Sequence, residues 1–306
     1  RPDLRSGGII QADSVSLTAG RIGVDGEGNP APLDIRTSEL SFHATGDVYI
    51  DSDIDGATLR LLESRADGII VMTADGAIDF DTIDAQSVEL QARTEIAQNV
   101  YDYYDITGDT IIASDGIYLI GNNVTLGAET DNRLEIYADG DIRSGSRTMS
   151  AYELDLTGNV VDVNTRADVI DIEALGDVTV NNSSPSVYPL YIIAGGDINF
   201  TTDGDVAIDE VNGGNVVNLD VGGDIHSAGE STPRIRVNNG GSVDLHADGT
   251  ITTSFFDTPL EVEFLDRERG QEEGPPAPIT GSLSITALGQ GQEEGPGPVL
   301  ARSSLV

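Results

Sequence analysis

Leu134-Glu135-Ile136-Tyr137-Ala138-Asp139-Gly140-Asp141-Ile142 alternates apolar with polar residues, narrows to a small Ala, turns at Gly-Asp and resumes with an apolar residue. With Gly140 at position zero, the template is apolar at −6 and −4, small or apolar at −2, and apolar at +2. It fits Gly46 (Leu40, Phe42, Ala44, Val48), Gly76 (Ile70, Met72, Ala74, Ile78) and Gly158 (Tyr152, Leu154, Leu156, Val160). It also fits Gly176 (Ile170, Ile172, Ala174, Val178) and Gly196 (Leu190, Ile192, Ala194, Ile198). Gly223 (Val217, Leu219, Val221, Ile225) and Gly249 (Val243, Leu245, Ala247, Ile251) complete the set. Weaker copies centre on Thr94 (Val88, Leu90, Ala92, Ile96) and Gly116 (Ile112, Ser114, Tyr118). Alternation places one set of side chains on one face of a strand, so each copy reads as a short strand, a tight corner and the start of a second strand.

Successive full copies lie 30, 64, 18, 18, 20, 27 and 26 residues apart, and the weaker copies divide the longest gap into 18, 22 and 24. A strand-rich period of this length is too short for helix-pair repeats and unlike leucine-rich repeats. It suits one coil of a parallel β-helix. The expected fold is all-β, a right-handed parallel β-helix of roughly a dozen coils, handed by the rule for parallel crossovers. Its core is expected to be the −6, −4, −2 and +2 residues. The 36 glycines, many in Asp-Gly or Gly-Gly steps, are expected at corners that need positive φ.

Residues 1–37 read as a looser leading coil, with a rung at Val15-Ser16-Leu17-Thr18-Ala19 and a loop from Gly26 to Pro32. Residues 38–264 carry the regular repeat, with turn-forming insertions at Asp51 to Gly56, Asn181 to Pro189 and Ser227 to Pro233. In 265–306, Gly270-Gln271-Glu272-Glu273-Gly274-Pro275 recurs as Gly291-Gln292-Glu293-Glu294-Gly295-Pro296, with the rung Leu283 to Gly289 between. That region reads as continuing coils with outward Pro-rich loops, or as a flexible tail. The chain as a whole reads as a segment of a longer or processed one.

Aromatic residues make up 5% of the chain and Trp is absent, which suits a narrow interior of Val, Ile, Leu and Ala. There is no Cys, so neither disulfides nor thiolate metal ligands arise. No apolar run approaches the ~18 residues of a membrane span. Formal net charge is −37, with all 16 cationic residues Arg. Such a chain repels phosphate backbones and anionic bilayers, which argues against nucleic-acid partners and membrane insertion.

The unit Leu-x-Ile-x-Ala-x-Gly-Asp-Ile, as in Ile170 to Val178, Leu190 to Ile198, Val217 to Ile225 and Val243 to Ile251, resembles the repeats of filamentous haemagglutinin-like exoproteins. These are long secreted adhesins of two-partner secretion systems. The resemblance covers most of residues 38–260. The family's secretion domain typically carries Asn-Pro-Asn motifs, whereas the nearest text here is Gly28-Asn29-Pro30-Ala31. The resemblance therefore implies shaft rather than secretion signal, an extracellular or bacterial cell-surface location, and an outer-membrane secretion partner for the parent chain.

Asp51-Ser52-Asp53-Ile54-Asp55-Gly56 opens like a calcium loop, with three carboxylates and a sharp turn. An EF-hand would place a carboxylate where Leu62 stands, one residue before Glu63, and flanking helices are not expected. A solvated acidic corner and a calcium site both remain open. Position +1 of the template is Asp47, Asp141, Asn159, Asp177, Asp197 and Asp224, with Ala77 and Thr250 as exceptions. Stacked coils would set neighbours such as Asp177 and Asp197 ~4.8 Å apart, where they either cap corner N–H groups or share cations. No cofactor is required, and calcium is the one metal this chemistry suggests.

Enzymes also use parallel β-helices. Hydrolases of this kind resemble one another in an Asp-Asp pair, Gly-His-Gly and Arg-Ile-Lys; this chain has Arg234-Ile235-Arg236 and lacks the other two. His43, His226 and His246 fall on the polar phase, and Tyr101, Tyr103 and Tyr104 cluster in one insertion where rings would either pack or stack on sugars. The expected function is a structural fibre shaft without catalysis, its coils stacking on further coils or copies and presenting to surface glycans. The alternative is a β-helical enzyme or binding domain acting on polysaccharide.

Overall fold

The computed structural model describes residues 2–5, 7–228, 233–238, 240–251, 261–265, 282–287 and 300–304. The chain folds as a β-solenoid of about 11 turns, with no helix among the described residues. It falls into two compact units, Arg1–Gly158 and Asn159–Val306. Among the described strand pairs all are parallel except one hairpin, Ala77–Ala97 with Val100–Tyr103.

In the first unit each coil has three sides. One side stacks Leu59, Ile78, Ile106, Val124 and Ile142. A second stacks Val15 on Leu40, then Ala44 on Ala66, and Ile83 on Ile111. The third stacks Val48, Ile70, Val88, Ile117, Leu134 and Leu154, with Ile50, Met72, Leu90, Leu119, Ile136 and Leu156 beside them. All of these side chains are buried. A parallel stack brings like positions within a strand spacing of ~4.8 Å. Apolar alternation therefore becomes continuous columns, each buried Leu or Ile contributing about 1.5–3 kcal/mol.

The second unit repeats the plan. One side stacks Val161, Val178, Ile198, Val217, Val243 and Leu283. Another stacks Val187, Val206 and Ile225, with Ile251 bridged to Ile225. The third runs Ile172, Ile192, Val211, Ile235 and Val262, and ends on the pairing of Glu261–Leu265 with Leu300–Ser304. The Glu- and Pro-rich stretches at 270–275 and 291–296 lie outside the described residues, as does part of the Ser227 to Pro233 insertion.

The predicted core positions around Gly46, Gly76, Gly140, Gly176, Gly196, Gly223 and Gly249 are all buried. The copies do not stack on one another in the order expected, because the template is used on two different sides of the coil. Leu40 stacks on Leu61 while Ile70 stacks on Val48. Likewise Leu190 stacks on Ile170 whereas Val217 stacks on Ile198. The long intervals of 30 and 27 residues thus measure one coil plus one side.

Of the three remaining copies only that of Gly116 is out of phase; the Thr94 copy buries Val88, Leu90 and Ala92, and the Gly158 copy buries Leu154 and Leu156. Ile112 is 41% exposed because Ile111 sits over Ile83, and Tyr152 is 56% exposed because Leu154, two residues later, takes the −6 place over Leu134. A doublet such as Ile111-Ile112 offers both phases locally, and the coil beneath chooses. Gly158 consequently follows Leu156 in the place of Ala138, not of Gly140, and Val160 is only half-buried. Ile96 is 58% exposed, since the strand runs through Thr94 without a corner and into the hairpin. Asn181 to Pro189 is not an insertion. It is the end of one strand, a corner at 183–185 and the start of the next, and Asn182, buried, accepts from the Thr165 hydroxyl and the Ala167 N–H at 2.9 Å each.

Candidate functional site

The polar positions of the template carry the surface chemistry, and the corners show what it does. In the second unit the Asp197 N–H donates to Asp177 Oδ1 at 2.9 Å, and the Val216 N–H donates to Asp197 Oδ1 at 3.0 Å. At a separate corner the Asp224 N–H donates to Asp205 Oδ1 at 2.8 Å, and Thr250 donates to Asp224 Oδ1 through both N–H and hydroxyl. In the first unit Asp105 accepts from the Asn123 N–H at 3.1 Å, and Asn123 Oδ1 accepts from the Asp141 N–H at 3.0 Å. Each side chain thus caps the corner of the next coil, where the backbone leaves its strand ladder and an N–H would otherwise lack a partner. Asp197 and Asp224 belong to two ladders, correcting the single column expected from the template.

The same geometry explains the glycines at positions 196, 223 and 249, and not by positive φ. The described glycines in that region are Gly23, Gly28, Gly56, Gly145 and Gly240, none of them a template centre. Instead, a Cβ on Gly196 would lie 2.0 Å from Asp177 Oδ1, on Gly223 2.1 Å from Asp205 Oδ1, and on Gly249 2.2 Å from Asp224 Oδ1. The capping carboxylate of one coil occupies the space a side chain would take at the centre of the next. Gly-Asp is a lock between coils.

The three predicted calcium-loop carboxylates do not converge. Asp51 pairs in register with Asp34 and Thr73, Asp53 forms an ion pair with Arg36, and Asp55, at φ 53°, donates its N–H to Asp75. Partial burial, with Asp34, Asp75 and Asp53 nearby, pushes the Asp51 carboxyl up. Among the described residues no group of three or more carboxylates or imidazoles is arranged to hold a metal ion.

Arginines clamp coils together. Arg236 bridges Glu210 and Glu263, with Glu263 at 2.8 Å. Burial pulls the Arg236 guanidinium down, but the Glu263 hydrogen bond and Glu210 outweigh it and hold it above its ordinary value. Arg133 spans Glu153, at 3.3 Å, and Asp155, whose hydrogen bond raises it. His43 is exposed, and His246 Nε2 lies 3.3 Å from Asp248. Surface hollows are shallow and open; one of 550 Å³ is rimmed by Arg65, Asp67, Asp84, Gln86, Glu129 and Asp131.

Tyr101 and Tyr103 occupy the hairpin, and Tyr104 follows its second strand. Arg93 opposes Tyr103 and Glu95 opposes Tyr101 across its two strands, with Asn99 at φ 60° in the turn. The Arg93 guanidinium lies 4.4 Å from the Tyr101 ring centre. Ring centres are 6.4 Å apart from Tyr101 to Tyr103 and 6.3 Å from Tyr103 to Tyr137. Sequence reading placed these rings in an insertion, but Tyr137 escaped it. Nothing in the local text links residues 101 and 137.

Compared with protein-family models, curated proteins and solved structures, the chain gives no match. Fold and surface together define the class: a β-helical repeat protein, a solenoid whose polar side chains fasten one coil to the next.

Proposed function

We propose that this chain is a structural shaft segment of a long secreted or cell-surface fibre, of the filamentous haemagglutinin-like kind, without catalysis of its own. One observation carries the reading: the side chains that would do chemistry are engaged between coils. Asp177, Asp197, Asp205 and Asp224 accept amides of the following coil. Arg236, the residue a polysaccharide-cleaving enzyme would need free, is held between two glutamates. A regular stack exposes raw ladder edges at its ends, so further coils or further copies are the natural partners. In this reading the parent chain leaves the cell through an outer-membrane secretion partner and stands on the bacterial surface.

Two measurements test it. Immunogold labelling of intact cells that make the protein should decorate extracellular filaments. Incubation with a polysaccharide panel should release no new chain ends. Turnover abolished by Arg236→Lys would overturn the shaft in favour of an enzyme, and label confined inside the cell would overturn the fibre.

A further inference from the structure

The hairpin is the one described strand pair that leaves the parallel plan, and it builds a platform. Residues directly opposite in an antiparallel pair share a face, so Arg93, Glu95, Tyr101 and Tyr103 all look to one side of it. Tyr137 lies on an outward position of Arg133–Ala138, between buried Ile136 and Ala138, and is 44% exposed. Its ring centre is 6.3 Å from that of Tyr103, which puts the solenoid tyrosine and the hairpin tyrosines on one surface. Three rings follow one another in steps of 6.4 and 6.3 Å, tilted by 41° and 53°. Tyr118 stands beside them. Burial and the nearby Glu135 and Glu89 push its phenol up, so carboxylates border the rings.

We propose that Tyr101, Tyr103 and Tyr137 form a binding platform for a neutral, chain-like glycan. The π faces of the rings are negative and attract the weakly positive C–H faces of pyranose rings. Glu89, Glu95 and Glu135 supply acceptors for sugar hydroxyls, and Arg93, drawn over Tyr101, fixes the first ring rather than offering a free cation. Polyanionic glycans are repelled by these carboxylates and by the net charge of −37. A protein partner is disfavoured by size. Three half-covered rings offer roughly 300 Å², against the ~800 Å² each side of a stable interface. The platform lies wholly within the first unit and stands whether or not the shaft reading holds.

The test is calorimetric titration of the whole chain with cellohexaose, xylohexaose, mannohexaose and maltohexaose, with chitosan hexamer and heparin as charged comparisons. At least one neutral hexasaccharide should bind saturably and keep its affinity in about 0.5 M sodium chloride. Tyr103→Ala and Tyr137→Ala should each weaken it roughly five- to ten-fold, while Tyr103→Phe preserves it. Tyr137→Ala covers the case in which Tyr103→Ala unravels the hairpin, because Tyr137 sits on a solenoid strand. Lack of binding by all four neutral hexasaccharides overturns the proposal. So does affinity unchanged in both Ala variants, or binding confined to chitosan or heparin. Binding without turnover leaves the shaft reading intact, and turnover would sink that reading without removing the platform.

Discussion

Asp51 is surrounded by its own kind: Asp34, Asp75 and Asp53 all raise its carboxyl, after the larger effect of partial burial. Its folded-state pKa therefore exceeds the unfolded value of about 3.9. A carboxyl raised in this way favours folding while protonated, and that contribution disappears as pH rises through the folded pKa. At neutral pH the charge is a net burden. Asp51→Asn should then raise the melting temperature at pH 7 by about a degree or two, a small effect because the side chain reaches solvent. The gain should vanish below about pH 4, where wild-type Asp51 is itself neutral. A variant less stable than wild type at pH 7 would show that the Asp51 charge is compensated. Gly196 makes the opposite demand, for space. Gly196→Ala puts a methyl 2.0 Å from Asp177 Oδ1 and 2.7 Å from the Gly176 carbonyl carbon. It should lower stability by about 1–3 kcal/mol through forced displacement, read from urea unfolding. An unchanged midpoint would mean the corners separate freely.

At the scale of the coil, side chains act in columns, and phase is everything. Leu245 lies buried between Leu219 and Ile285 in register, while Glu135 projects outward toward Arg133 at 3.5 Å. Leu245→Asp inserts an unpaired charge into an apolar stack and should destabilise by more than about 4 kcal/mol. Glu135→Gln removes one arm of an exposed ion pair and should stay within about 0.5 kcal/mol. Thermal melts of the two variants read the phase directly, and equal shifts would contradict the assigned burial. The corner ladder belongs to this scale too. An Asp cap holds two coils through a charge-assisted hydrogen bond, and Asn123 shows that an amide oxygen does the same between Asp105 and Asp141.

For the molecule as a whole, the net charge of −37 is expected to govern the response to salt. Folding gathers many of the carboxylates behind the −37 net charge into ladders one strand spacing apart, whereas an unfolded chain spreads them. Sodium chloride should raise the melting temperature gradually by screening within ~8 Å at ~0.15 M. Calcium chloride at equal ionic strength should match it if amide capping is the whole role of Asp177 and Asp197, and exceed it if the ladders also share cations. A melting temperature indifferent to both salts would remove carboxylate repulsion from the account.

The sequence by itself determined the coil: two-residue alternation, corner glycines and a period of about 20 residues admit few folds other than a parallel solenoid. It also determined the buried set around seven of its glycines, because apolar parity is a local property of a strand. What only the tertiary structure decided is which strand lies on which. Ile111 against Ile112, or Gly46 stacked toward Gly68 rather than Gly76, are choices made by the neighbouring coil. The reason for Gly at positions 196, 223 and 249 likewise resides one coil away, in the Asp below. Tyr137 joins Tyr103 for the same reason, across 34 residues that alternation cannot span. Periodicity reports the face of a side chain, and stacking alone reports its partner.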